Sequence, residues 1–158
     1  LGVAQDGAVL FLSQVETQAT IRAFFPPGTL SPMHASGIGK ALLAEMDSDR
    51  LDHLLRGQTL AIFTKQTIAN QERLRADLKG IRILGYAIDN EEKSTGMRCI
   101  AAPVFDMNAE AIAGISVSGP TSRIQIDEIE HLGQAVKDAA HHLTLAIGGV
   151  SKSQVSER

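Results

Sequence analysis

Four short stretches carry side chains able to hold or transform a ligand: HASGIGKALLA (34–44), DNEE (89–92), MRCIAAPVF (97–105) and GISVSG (114–119). The first has the ingredients of a phosphate loop but not the spacing. A nucleotide-binding loop needs G-x-x-x-x-G-K-[ST] after a strand. With Gly39-Lys40 as its Gly-Lys, the first glycine falls at His34 and the hydroxyl residue at Ala41. Gly37-Ile38-Gly39 cannot open G-x-G-x-x-G either, because Leu42 replaces the third glycine. What survives is the start of a helix, with unpaired N–H groups and a partial positive charge, next to glycine. That suits one carboxylate better than a triphosphate. The alternative is that Gly37 and Gly39 only let the helix pack closely on a sheet.

In GISVSG, strand periodicity puts Ser116 and Ser118 on one face with Gly114 and Ile112, and Ala113, Ile115 and Val117 on the other. Two hydroxyls on so apolar a strand need partners if buried. Backbone groups or a small polar ligand would serve. A nucleophile elbow, G-x-S-x-G, fails because Ser118 stands where its last glycine should be, and no Ser–His–acid spacing supports it. Cys99 shares a face with Ala101. A buried lone Cys behaves as a small hydrophobe, whereas a catalytic thiolate wants a cation or His beside it. Among the acids of DNEE, Asp89 is nearest the strand and best placed to turn inward. The five histidines (34, 53, 131, 141, 142) show no metal spacing, and no cofactor motif is present.

The elements that must position these residues follow from pattern. AVLFLSQV (8–15) and ATIRAFF (19–25) read as a hairpin, and PPGTLSP (26–32) as a loop. HASGIGKALLAEM, SDRLDHLLRG (48–57, capped by Ser48) and NQERLRADLKGIRILG (70–85, Asn70 to Gly85) read as helices. GYAID (85–89), MRCIAAPVF (97–105) and AIAGISVSG (111–119) are strands, the last two joined by the turn DMNAE. The final helix starts at Asp127, with a capping box to Glu130. Its apolar stripe is Ile129, Leu132, Val136, Ala140, Leu143 and Ile147, closed by Gly148-Gly149. SKSQVSER (151–158) is a polar tail. Hairpins with unevenly placed helices predict an α+β domain with a mainly antiparallel sheet.

Composition bounds the partners. With 158 residues the chain suits one domain, and 44% hydrophobic with 21% charged residues is that of an ordinary globular protein. A net charge of −3 favours neither nucleic acid nor an anionic membrane. No apolar run approaches the roughly 20 residues of a membrane helix. The single cysteine excludes an internal disulfide framework and fits a reducing cytoplasm. The chain opens at LGVAQDG without a methionine, as a fragment would.

MHASGIGKALLA (33–44), GYAIDNEEKSTGMRCIAAPVFD (85–106) and AIAGISVSGPTSRI (111–124), in this order and spacing, resemble the effector-binding domain of IclR-type bacterial transcriptional regulators, over residues 1–150. The resemblance implies a GAF-like domain, a curved mainly antiparallel sheet flanked by helices. It also implies an N-terminal winged helix-turn-helix domain, expected outside this chain, through which DNA is bound. Members are homodimers or homotetramers that respond to small organic acids. The likeness is greatest to the repressor branch that senses glyoxylate and pyruvate and governs acetate use. There the pocket uses a helix-start Gly and its neighbour, an Asp, a Cys and two Ser. The matching positions are Gly37, Ile38, Asp89, Cys99, Ser116 and Ser118. Ile38 departs from the pattern, where a smaller residue is expected. Its side chain either narrows the pocket or turns away and leaves only its N–H.

The resemblance therefore implies a 2-oxo acid with its carboxylate on the N–H groups near Gly37 and Ile38, and hydrogen bonds from Ser116 and Ser118. Asp89 beside an anion is repulsive unless it is protonated, accepts from a serine, or binds a ligand hydroxyl or hydrate. The output is a change in subunit arrangement. The competing readings are a sensor of an aromatic or sugar-derived acid, a small hydrolase or acyltransferase using Ser118 or Cys99, and an oligomerisation module with an empty pocket.

Overall fold

The computed structural model describes residues 1–18 and 25–150. Six strands form one sheet: β1 (Gly2–Gln5), β2 (Ala8–Phe11), β3 (Leu30–Pro32), β4 (Ala87–Asn90), β5 (Met97–Phe105) and β6 (Ala111–Pro120). Their order is β3-β2-β1-β6-β5-β4, and every neighbouring pair is antiparallel. The helices are α1 (Gly37–Glu45), α2 (Ser48–Leu55), α3 (Gln71–Leu84) and α4 (Ile129–Ala146). This is the expected α+β architecture.

β5 shows how the two faces are divided. Cys99 and Ala101 look toward α1, while Ile100, Ala102 and Val104 pack with Val136 and Ala140 of α4. On the α1 side, Ile38, Leu42 and Leu43 join Val9, Phe11 and Leu74 in a second apolar layer, with α3 behind α1. The sheet is thus covered on both sides near β5.

Several boundaries differ from expectation. The first hairpin is β1–β2, and β2 (expected as the first part of 8–15) is paired on its two edges with β1 and β3. Asp6 and Gly7 take φ of 49° and 78°, the left-handed pair that a two-residue hairpin turn demands. Residues 19–24 of the expected second strand lie outside the described residues, as does the 151–158 tail. PPGTLSP is a loop only to Thr29, for Leu30–Pro32 pairs with β2. This is an edge strand, and the missing N–H of Pro32 is tolerated there. β4 runs from 87 to 90 rather than 85 to 89. Asp47, not Ser48, caps α2. The box before α4 is Gln125 with Glu128, not Asp127 with Glu130, and Ile147 lies past the helix, half-exposed. Asn70 and Gly85 (φ 80°) bound α3 as expected.

The decisive break is at the phosphate-loop look-alike. His34 does not begin a helix that continues into α1. Met33–Ala35 form a separate 3-10 turn, and Ser36 is extended with φ −128°. Its Oγ accepts the Gly39 N–H at 3.3 Å, so α1 starts at Gly37. Gly39 permits the sharp junction, since a Cβ there would lie 2.2 Å from the Met33 carbonyl oxygen.

Candidate functional site

The register across the sheet assembles the site. Asp89 of β4 pairs with Cys99 of β5, and Cys99 pairs with Ser118 of β6. The neighbouring pair on the same face is Ala101 with Ser116. Gly37 begins α1 directly over this row: a Cβ on it would stand 2.8 Å from Cys99 Sγ and 3.3 Å from Ala101 Cβ. Five of the six expected residues therefore meet within one patch.

Ser118, Ser116 and the Gly37 N–H stand beside the Cys99 sulfur and pull its pKa down. Even so, burial pushes the thiol up to about 11. No histidine bonds to Cys99, Ser116 or Ser118 among the described residues, and Cys99 is only partly accessible. The Ile38 N–H, next along the helix start, has no acceptor among the described residues.

Ile38 packs against the sheet. Its side chain is buried and turned into the sheet, filling the space over two glycines. A Cβ at Gly114 would lie 2.6 Å from Ile38 Cγ2, and one at Gly2 3.4 Å from its Cδ1. Gly37 and Gly39 serve close packing as well, so the packing and ligand roles of this stretch coexist.

Asp89 is buried and turned inward. Its Oδ1 accepts the Glu92 N–H at 2.8 Å and the Lys93 N–H at 3.3 Å. Burial raises its carboxyl above the usual range, with the two N–H bonds and Lys40 and Lys93 pulling the other way. The same turn holds Glu92, also raised by burial against the pull of Lys40. One side of Ser116 and Ser118 opens on a cavity of about 650 Å³, whose other lining includes Phe11, Gln14, Phe25 and Ile124. Gly37, Ile38, Asp89 and Cys99 do not line it; Cys99 pairs with Ser118 of its wall, and Asp89 and Gly37 adjoin Cys99.

Sequence reasoning passed over Lys40. It is fully buried and bonds Glu92 Oε1 at 2.7 Å and Asp77 Oδ2 at 2.9 Å. The signal was a lysine on the inner face of an apolar helix, a residue that is almost never buried unless paired. Thr64 and Thr67 were passed over too. Their hydroxyls donate to the carbonyls of Glu91 and Glu92, at 2.7 and 2.6 Å, and hold the turn from outside. His141 and His142 are exposed, and His34 is spent on the Ala61 carbonyl.

The family profile of the bacterial transcriptional regulator IclR C-terminal domain matches residues 1–145. The chain belongs to the IclR family. It is 54% identical over 147 residues to the HTH-type transcriptional regulator BhcR of Paracoccus denitrificans, covering 93% of this chain and 53% of that protein. It is 38% identical over 144 residues to the acetate operon repressor of Salmonella typhimurium, covering 91% and 53%. The crystal structure of the Thermotoga maritima IclR superposes with a TM-score of 0.88 at 28% identity, covering 93% of this chain and 60% of that one. The chain thus spans about half the length of the curated relatives it matches. Its curled antiparallel sheet with four helices is the GAF-like fold of IclR C-terminal domains. It is an effector-binding domain of a transcription regulator, and its relatives include repressors. No helix among the described residues is long and apolar enough to cross a membrane.

Proposed function

We infer that this domain binds a small 2-oxo acid of the glyoxylate or pyruvate type. The observation that carries this is the start of α1 lying over the Asp89–Cys99–Ser118 row, with Ser116 and Ser118 on the wall of a cavity. The unpaired Ile38 N–H and the positive end of α1 receive the carboxylate. Ser116 and Ser118 donate to carboxylate or carbonyl oxygens. Asp89, protonated, donates to the oxo group. The similarity to an acetate operon repressor supports a two- or three-carbon acid.

Residues 1–150 constitute this sensing unit and 151–158 a tail. In the whole protein, a winged helix-turn-helix domain N-terminal to it contacts DNA. The effector changes how the subunits of a dimer or tetramer are arranged, by binding one arrangement better than another. The setting is cytoplasmic, and binding is without turnover, a reading supported by the raised pKa of the Cys99 thiol.

Calorimetry and thermal melting against a panel of acids test this. Millimolar pyruvate or glyoxylate should bind and raise the melting temperature. A larger acid is the second reading, favoured by the cavity volume of about 650 Å³ and its Phe11 and Phe25 walls. If only an aromatic or sugar-derived acid shifts melting, that reading replaces the first.

A further inference from the structure

The buried charges under the site do not balance without help from one residue of α1. Lys40 Nζ meets Glu92 Oε1 at 2.7 Å and Asp77 Oδ2 at 2.9 Å. Glu92 is buried, and its second oxygen, Oε2, has no hydrogen-bond partner. Glu92 in turn donates its N–H to Asp89 Oδ1. A single chain of contacts therefore runs from Lys40 through Glu92 to Asp89, the carboxyl that shares a row with Cys99 and Ser118.

We propose that Lys40 is a positioning residue of the effector site: through Glu92 it sets the Asp89 carboxyl, and its charge admits an anionic ligand beside that carboxyl. This rests on the 2-oxo-acid reading above. The charged and titratable groups around Asp89 are Lys40 from α1, Glu92 and Lys93 from its own turn, and Cys99 from β5, with Asp77 of α3 behind Glu92. Lys93 is already engaged, its ammonium 3.4 Å from the centre of the Phe63 ring. The other buried cation nearby, Arg98, is turned to Asn90 Oδ1 and the Ile124 carbonyl. Against three carboxyls and an incoming anion, Lys40 is the buried positive charge aimed at the turn. Asp89 then takes a proton when the ligand binds, since two anions side by side repel.

The sign of the consequence is fixed. Pyruvate affinity should fall as pH rises through the Asp89 titration. Removing a positive neighbour moves that titration up, and removing a negative one moves it down. The test is pyruvate calorimetry on the whole chain across pH, with melting recorded for each variant. Lys40→Met should shift the midpoint of the affinity fall to higher pH and, below the midpoint, where Asp89 is protonated in both proteins, weaken binding through loss of the positive charge. Lys40→Arg should leave the midpoint in place. Glu92→Gln, which leaves Lys40 paired with Asp77, should shift it to lower pH and decides the matter if Lys40→Met does not fold. A purely structural lysine would alter melting without moving the midpoint. An unmoved midpoint in Glu92→Gln and in folded Lys40→Met therefore overturns the proposal. If the unsubstituted chain binds no pyruvate at any pH, the functional reading fails first, and this proposal with it.

Discussion

Gly37 stands over Cys99 so closely that a Cβ at position 37 would lie 2.8 Å from the thiol sulfur. Helix α1 and strand β5 touch here through a backbone and a side chain, which puts the helix-start N–H groups on the sheet.

That contact makes the first prediction. Gly37→Ala should destabilise the domain by about 1–3 kcal/mol, the usual cost of overpacking. Cys99→Ala in the same background should recover most of it, leaving the Ala101 contact at 3.3 Å. Urea unfolding of both single variants and the double variant gives the coupling. Strictly additive losses would mean that the two residues do not touch.

The serines separate site from scaffold. Ser116→Ala and Ser118→Ala should each weaken pyruvate binding by about 1.5–3 kcal/mol, roughly 10- to 100-fold. Melting of the ligand-free domain should hardly change, because both hydroxyls border an open cavity where water replaces a lost ligand. Lower stability with unchanged affinity in both would assign them to the scaffold.

Cys99 should be a slow thiol. A pKa of about 11 against the usual 9.0 leaves about 100-fold less thiolate at neutral pH than in a free cysteine. Iodoacetamide labelling should be slower by about that factor and should accelerate toward pH 11. Rapid labelling at pH 7 would revive the thiol-enzyme reading.

Asp89 carries a pH signature. Its pKa is raised in the folded state, so its contribution to stability is complete below the ordinary 3.8 and is lost as pH rises through the folded value. Asp89→Asn keeps an acceptor for the Glu92 and Lys93 N–H groups but cannot ionise. The variant should therefore melt higher than the parent at neutral pH, and the gap should close toward pH 4. A variant that melts lower at pH 7 would show that the charged form is the favoured one.

The clamp on the 89–93 turn can be opened from outside. Thr67 Oγ1 accepts the N–H groups of Phe63 and Thr64, at 3.0 and 2.9 Å, and donates to the Glu92 carbonyl at 2.6 Å. Thr67→Val should cost about 1–3 kcal/mol through these orphaned groups. Amide exchange at Phe63 and Thr64 should quicken. Unchanged exchange there would place the clamp elsewhere.

Much of this was legible in the chain itself. Period-two patterning put Ser116 with Ser118 and Cys99 with Ala101, because strand pleating is a local property. Asn70 and Gly85 marked the ends of α3, since caps are local too. The three motifs in their order named the family. What the chain could not state was register. That Cys99 lies between Asp89 and Ser118 depends on how β4, β5 and β6 align, which is settled by packing of whole faces. The resemblance implied a helix start at Gly37, but the break at Ser36 and the contact of that start with β5 came only with the fold. The Lys40–Glu92 pair joins residues 52 positions apart. Only the folded chain brings them together, and burial there gives both charges their importance by removing the water that would screen them.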